Sequence, residues 1–283
     1  VSRAKPRYGY YALGYYLLLI GATFLGGVVL GVGGQIVGSS TLTGVGVAVL
    51  IYGVVEGGGL WLGVYVLPEG RVRRAARVAA SLSDGSVTRL LDVGSGRGIA
   101  MIEFAKRFAA SRAVSVDIWQ RGSRRRLAGY DPTAPVFRHT VARTRENARI
   151  EGVADRVNFL TSDATRLSLA DDAFDLATCS YLLFHLHAGR FRRDDTPRRR
   201  CLWELRRVLR PGGRLVIFEL VTTGWVNLLA WTPIGYLGMR LLSKPLTLAY
   251  WENLLRDAGF RIEHAELRRG NVVLVARRPE VPN

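Results

Sequence analysis

Residues 87 to 98, Val-Thr-Arg-Leu-Leu-Asp-Val-Gly-Ser-Gly-Arg-Gly, constrain the fold more than any other stretch of the chain. Val87 to Val93 is a short apolar run that reads as a strand. Gly94, Ser95 and Gly96 then call for a sharp turn. A helix is expected to start near Gly98, carrying Ile99, Ala100, Ile102, Phe104 and Ala105. A strand, a glycine-rich turn and a helix N-terminus together bring bare backbone N–H groups close to a ligand. The same letters also suit a plain βα turn, so the order of the downstream elements has to decide.

Downstream the pattern alternates strands with helices, which argues for a parallel α/β sheet. Arg112 to Asp117 reads as a second strand ending in an acid, Arg156 to Thr161 as a third, and Phe174 to Cys179 as a fourth. Arg138 to Ile150 and Thr196 to Leu209 read as helices, and Gly213 to Leu220 as a fifth strand after Pro211-Gly212-Gly213. Residues 119 to 136, rich in Arg, Gly and Pro, interrupt the alternation and read as a loop. A helix over Leu246 to Ala258 comes next. Phe260 to Leu267 and Val272 to Ala276, joined by Arg269-Gly270-Asn271, predict a terminal β-hairpin.

The first 86 residues differ in kind. No charged residue occurs from Tyr8 to Gly34, and a second apolar run from Thr43 to Leu67 carries only Glu56. Each is long enough to cross a bilayer, where roughly 20 apolar residues are needed. Residues 1–67 are expected to form a membrane anchor of two transmembrane helices, about 8–34 and 43–67. A glycine-rich soluble β-hairpin or a core helix pair is the alternative. Arg3, Lys5 and Arg7 precede the first run, and Arg71, Arg73, Arg74 and Arg77 follow the second, while the connecting loop is uncharged. That asymmetry places both ends in the cytoplasm, giving a multi-pass cell-membrane protein with a cytoplasmic catalytic domain. Gly27 and Gly31, and Gly53 and Gly57, are spaced for close helix approach. Glu56 either contacts substrate or reaches the interface. Residues 68–86 read as a basic juxtamembrane linker helix, lying on headgroups, packed on the next domain, or both.

Leu91-Asp92-Val93-Gly94-Ser95-Gly96-Arg97-Gly98, Asp117, Ser162-Asp163-Ala164, Phe174 to Ser180, and Leu205 to Leu215 with Arg210-Pro211-Gly212-Gly213 occur in that order. They resemble the motifs of the class I S-adenosylmethionine-dependent methyltransferases. The resemblance runs from about Val87 to Arg277. It implies a Rossmann-like, seven-stranded methyltransferase sheet of the α/β class with a C-terminal antiparallel β-hairpin, here preceded by two transmembrane helices. Residues 87–283 would be the methyltransferase domain and S-adenosyl-L-methionine the cofactor. The resemblance further implies that Asp92, Gly94, Ser95, Gly96 and Gly98 line the cofactor. Asp117 would accept from its ribose hydroxyls beside Ile118, Asp163 and Ala164 would lie at the adenine, and Ser180 would close the fourth-strand edge. At Asp163 the backbone of Ser162 or Ala164 is the alternative contact. A nicotinamide-binding domain would space its third glycine differently and would lack the terminal hairpin.

A methyl group on a sulfonium needs mainly proximity and in-line alignment, and a base only where the acceptor must lose a proton. Tyr181 and His185 are the catalytic candidates, with His187 behind them; His185 could alternatively pack or cap a helix start. No metal-ligand pattern occurs, and Cys179 and Cys201 suit a reducing compartment. The net charge of +17 suggests an anionic partner or reflects Arg-rich composition, since Lys occurs only at 5, 106 and 244. No Asn-Pro-Pro-Tyr or Asp-Pro-Pro-Tyr follows the fourth strand, so no nucleic-acid partner is expected. The runs 121–126 and 190–200 then read as membrane-facing, substrate-phosphate-facing or solvated charge. Residues 224–242 form an apolar lid rich in Trp and Tyr. The expected activity is methyl transfer to a lipid-soluble or small apolar acceptor, with membrane lipids as the surroundings. The alternative is a membrane-bound S-adenosylmethionine-binding or scaffold protein without turnover.

Overall fold

The computed structural model describes residues 13–61, 68–83, 87–119, 140–186, 194–221, 246–268 and 271–280. Seven strands form one sheet in the order β3-β2-β1-β4-β5-β7-β6. β1 (Arg89–Val93), β2 (Arg112–Asp117), β3 (Val157–Thr161), β4 (Phe174–Ser180) and β5 (Leu209–Leu220) run parallel. β7 (Asn271–Arg277) pairs antiparallel with β5 and with β6 (Arg261–Arg268), so the expected C-terminal hairpin is present. Its register against β5 runs unbroken from Arg214↔Arg277 to Leu220↔Asn271.

Burial explains why the central strands read as continuous apolar runs. Leu90 to Val93 of β1 and Phe174 to Cys179 of β4 are buried along their whole length, because helices cover both faces of a parallel sheet. On one face α3 (Pro68–Ser81), α4 (Ile99–Arg107) and α5 (Val141–Ile150) enclose Leu90, Met101, Phe104, Leu176 and Phe218. On the other, α6 (Thr196–Val208) and α7 (Leu248–Asp257) enclose Leu91, Val93, Leu202, Leu205 and Trp251. α3 joins the sheet domain through buried Val72, Ala75, Ala76 and Ala79. Arg73 pairs with Glu103 of α4 at 3.1 Å, and Arg74 with Glu266 of β6 at 3.1 Å. The linker helix is thus packed on the domain, with Arg73 and Arg77 still exposed.

The chain winds from β1 outward to β2 and β3, then crosses to β4 on the other side of β1. The C-terminal ends of β1 and β4 therefore splay into a crevice, the place where open α/β sheets bind ligands. Among the strands, the largest difference from an expected boundary is at β5. β5 begins at Leu209 rather than Gly213, since Leu209 already pairs with Phe174 before the register shifts to Leu176↔Arg214. Gly212 takes up the shift at φ 78.

The N-terminal runs form two antiparallel helices, α1 (Leu13–Ile36) and α2 (Ser40–Trp61), joined by a turn at Val37 to Ser39. The expectation of two membrane crossings is not carried by the structure: among the described residues no helix is long and apolar enough to cross a membrane. Six glycines over residues 20–36 dilute the apolar character of the first run. The glycines act in packing. A Cβ on Gly46 would stand 2.3 Å from the Gly31 amide nitrogen, and one on Gly34 would stand 2.4 Å from that of Thr43. The close approach expected at Gly27 and Gly31 is therefore real, with Gly46 as the partner and Gly53 lying against Thr23. The expected loop at 119–136 beyond Trp119, His187, most of the basic runs, the apolar lid at 224–242, and the side chains of Glu56 and Gly57 lie outside what is described.

Candidate functional site

The site is built from the ends of β1, β2 and β4. After Val93 the chain turns through Gly94, Gly96 and Gly98, all left-handed, at φ 78, 52 and 84. Only glycine takes this conformation without steric cost. The turn also leaves no room for side chains. A Cβ on Gly94 would stand 2.8 Å from Leu182, and one on Gly98 would stand 2.7 Å from Thr144. α5 supports the turn from behind: the Thr144 hydroxyl donates to Gly96 O at 2.7 Å and the Asn147 amide to Arg97 O at 3.0 Å.

The expectation of bare amides at this turn is corrected. Gly94 and Ser95 N–H both donate to Val116 O, at 2.9 and 3.1 Å, and Gly98 N–H donates to Ser95 O at 2.7 Å. Gly96 N–H donates to the Asp117 carboxylate at 2.8 Å. Alternate left-handed residues, Gly94, Gly96 and Gly98, curl the amides back onto the end of β2. The turn offers a ligand close backbone approach, with the amides of Gly94, Ser95, Gly96 and Gly98 already engaged.

Asp117 ends β2 with its carboxylate buried and facing the turn. Its other oxygen accepts from Trp119 N–H at 3.1 Å. These two bonds fix the carboxylate's orientation at the end of β2. Ile118 beside it is half exposed and forms an apolar rim. Asp163 follows β3 and closes a tight turn, accepting from both the amide and the hydroxyl of Thr165 at 2.8 Å. That oxygen is committed to the backbone, and Ala164 next to it is buried.

Beneath the turn lies Asp92, 1% exposed. Neither carboxylate oxygen has a hydrogen-bond partner. The Ser95 hydroxyl, its near neighbour, is turned onto the Asp92 carbonyl at 3.0 Å. Burial pushes the carboxyl up from 3.8 to about 7; the nearby Asp117 charge adds to the rise, while Ser95 and the Met101 amide oppose it only in part. An orphaned carboxylate is costly inside a protein and calls for a cationic partner. The Ser180 hydroxyl at the end of β4 is likewise buried without a partner.

β4 leads into a tight turn carrying the catalytic candidates. Tyr181 sits at φ 55, its amide donating to Phe218 O at 2.8 Å and its hydroxyl to Asn271 Oδ1 at 2.9 Å. The phenol is thus engaged with β7. Half-buried Leu182 lies over Gly94. His185 caps the turn by donating its amide to Leu182 O at 2.9 Å, and its ring meets the Phe184 ring edge-on at 5.3 Å. The structure therefore brings Asp92, Gly94, Ser95, Gly96, Gly98, Asp117, Ile118, Ser180, Tyr181 and His185 to one edge of the sheet, with Asp163 and Ala164 at its β3 side. No group of three or more potential metal ligands occurs among the described residues. A cleft of about 430 Å³ lined by Asp171, Trp203, Arg206 and Arg278 lies at the opposite edge, where β4 begins, and takes no part.

Sequence reasoning missed two residues. Glu219, in the apolar strand β5, accepts from the amides of Leu183 and Phe184 at 2.7 and 3.2 Å. Arg198, in a basic run read as membrane-facing, substrate-phosphate-facing or solvated, is fully buried and donates to Leu183 O at 2.8 Å. A lone Glu inside Leu215 to Leu220 was the available signal for the first; an Arg three residues after Asp195 was a weaker one for the second.

The demands of S-adenosylmethionine match this edge: a ribose diol for Asp117, an ammonium for the orphaned carboxylate of Asp92, and close backbone approach at the glycine turn. Residues 91–217 match the family model described as "Methyltransferase domain". The chain is 31% identical over 212 residues to a demethylmenaquinone methyltransferase of Clavibacter sepedonicus, covering 66% of this chain and 71% of that protein. It is 33% identical over 138 residues to the ubiquinone/menaquinone biosynthesis C-methyltransferase UbiE of Dinoroseobacter shibae, covering 49% of this chain and 44% of that one. The chain thus spans less than half the length of several curated relatives it matches. Among solved structures, the [4+2]-cyclase SpnF is similar with a TM-score of 0.51 at 24% identity, over 74% of this chain and 81% of that one. That likeness shows the fold alone.

Proposed function

Because this chain belongs to the S-adenosylmethionine-dependent methyltransferases, we propose that it methylates a lipid-soluble acceptor, a ring carbon of a demethylated quinol, from a membrane-held position. The cofactor supplies a methyl group already activated on a sulfonium. Asp117 would hold the ribose diol, Asp92 the ammonium, and Ile118 the adenine side of the pocket. Leu182, lying against Gly94, would exclude water where methyl and acceptor meet. A quinol carbon becomes nucleophilic when a ring hydroxyl ionises. His185 would accept that hydroxyl proton, and the ring carbon would shed its own proton after methyl transfer.

The observation that carries the acceptor class is the helical hairpin. Phe24, Leu25, Val29, Ile36, Ile51 and Val54 all project outward, more than half exposed, and no charged residue occurs from Tyr8 to Val55. A helix pair that is apolar all round needs an apolar surrounding, and lipid provides one on every side. In this reading the hairpin embeds in the cell membrane, with both ends and the catalytic domain on the cytoplasmic side. The names of the quinone-methylating relatives support the same acceptor.

The test is turnover with methyl-labelled cofactor, the full chain in lipid nanodiscs, and a short-tailed demethylmenaquinol. Label is expected in the extracted naphthoquinol, suppressed by S-adenosylhomocysteine. Cofactor binding with no label in either demethylated naphthoquinol or benzoquinol would refute the acceptor assignment.

A further inference from the structure

The turn after β4 is held by buried charge from both sides. Glu219 of β5, 0% exposed, accepts from the amides of Leu183 and Phe184 at 2.7 and 3.2 Å. Arg198 of α6, also 0% exposed, donates to the carbonyls of the same two residues at 2.8 and 3.4 Å. Arg198 is itself fixed by Asp195 at 2.6 Å and by the Tyr250 hydroxyl at 3.2 Å. The Tyr250 and Trp251 rings each lie 5.9 Å from its guanidinium. Three charged side chains and a tyrosine are committed to two residues of one short turn.

We infer that Glu219 and Arg198 form a clamp that sets the position of His185 and Leu182, and so act as positioning residues for methyl transfer. The inference rests on the proposed function for its kinetic consequence, though not for its geometry. Buried charges stabilise a fold less than well-packed apolar groups of similar size, and their attested use is to single out one arrangement. Here that arrangement is demanding. Tyr181 is held in the left-handed region, which is strained for a side chain of its size. Leu182 must lie in contact with Gly94, and His185 comes one helical turn later. A carboxylate under the first amides of the turn and a guanidinium at its carbonyls satisfy the backbone groups that a single, unextended helical turn leaves open. Without them the turn could relax, and His185 would move relative to the crevice. A displacement of about 1 Å at a reacting centre costs roughly 100-fold in rate.

The experiment compares the full chain in nanodiscs with Glu219→Gln and the milder Tyr250→Phe. Glutamine offers one oxygen where two amides need acceptors, and phenylalanine removes one support of Arg198 while keeping its ring. Three quantities are read: amide exchange of the 181–186 segment, the dissociation constant of S-adenosylhomocysteine, and kcat against KM with the short-tailed demethylmenaquinol. Glu219→Gln should exchange about tenfold faster over that segment. It should lose roughly 30- to 100-fold in kcat, with KM and S-adenosylhomocysteine affinity within about threefold of the parent. Tyr250→Phe should shift the same two quantities in the same direction by less. Parent-like exchange and kcat in Glu219→Gln would overturn the inference. So would loss of S-adenosylhomocysteine affinity in step with kcat, which would mark a general scaffold role. Should the parent chain transfer no methyl group, the proposed function fails by itself. Exchange over 181–186, which needs no reaction, then decides the clamp.

Discussion

Asp92 should make cofactor affinity depend on pH in a defined direction. Its folded-state pKa of about 7 against 3.8 in a free chain amounts to about 4 kcal/mol against ionisation. In the ligand-free protein the folded form keeps this proton up to about pH 7, while the unfolded chain releases it near 3.8. Asp92 therefore lowers stability as pH rises through that window, and the loss is complete above pH 7. An ammonium against the carboxylate reverses the preference. Below pH 7 binding must expel the proton, so S-adenosylhomocysteine should bind about 30-fold more weakly at pH 5.5 than at pH 8, with no further gain above. Calorimetry at pH 5.5 to 8.5, in two buffers of different ionisation enthalpy, measures both the affinity and the proton released. Asp92→Asn should abolish the slope and weaken binding roughly 10- to 100-fold at pH 8. At that pH it should also raise urea stability by about 1–3 kcal/mol, the ionisation penalty less the burial of an unpaired amide. A flat parent profile, or a slope that survives in Asp92→Asn, would refute the assignment of Asp92 to a cationic group.

Three shorter expectations rest on the same geometry. Gly94→Ala forces a left-handed alanine whose Cβ would stand 2.8 Å from Leu182. It should cost about 1–2 kcal/mol from the backbone alone and abolish S-adenosylhomocysteine binding, read by thermal melting and calorimetry. His185→Gln should lower kcat roughly 100- to 10,000-fold with S-adenosylhomocysteine affinity unchanged; unchanged turnover would leave His185 a packing residue. Ile51→Arg points a charge outward from the hairpin. In lipid it is penalised by about 2.5–3.5 kcal/mol, so flotation with liposomes should drop, whereas a hairpin standing in water would tolerate it.

The parts of the site that were legible in the sequence share a physical cause. Gly94, Gly96 and Gly98 announce left-handed backbone, and Asp117 is an acid at a strand end, so local rules reach them without knowledge of the fold. The parallel sheet follows from the alternation of strands and helices, and the terminal hairpin from the turn residues at 269–271, whereas the seven-stranded arrangement was legible only through the family resemblance. The state of the amides was not legible. Whether Gly96 N–H faces a ligand or Asp117 depends on how far three left-handed residues curl, a property of dihedral angles that composition leaves open.

Glu219 and Arg198 were hidden for a different reason: their roles depend on tertiary neighbours 14 to 36 positions away. Arg198 stands beside Arg199 and Arg200, and the letters do not distinguish them, yet Arg199 is solvated and paired with Asp257 while Arg198 is buried at the turn after β4. On α6 the two directions differ by about 100° of helix rotation. Periodicity does point Arg198 inward, since Cys201, Leu202 and Leu205 succeed it at helical spacing on the buried face. A charged residue on an apolar stripe is therefore the readable sign of a buried polar contact. Applied to β5, the same rule picks out Glu219, which continues the inward alternation of Leu215 and Ile217 toward the α6 side. Both charges then point at one turn, and that turn carries the residue expected to handle the proton.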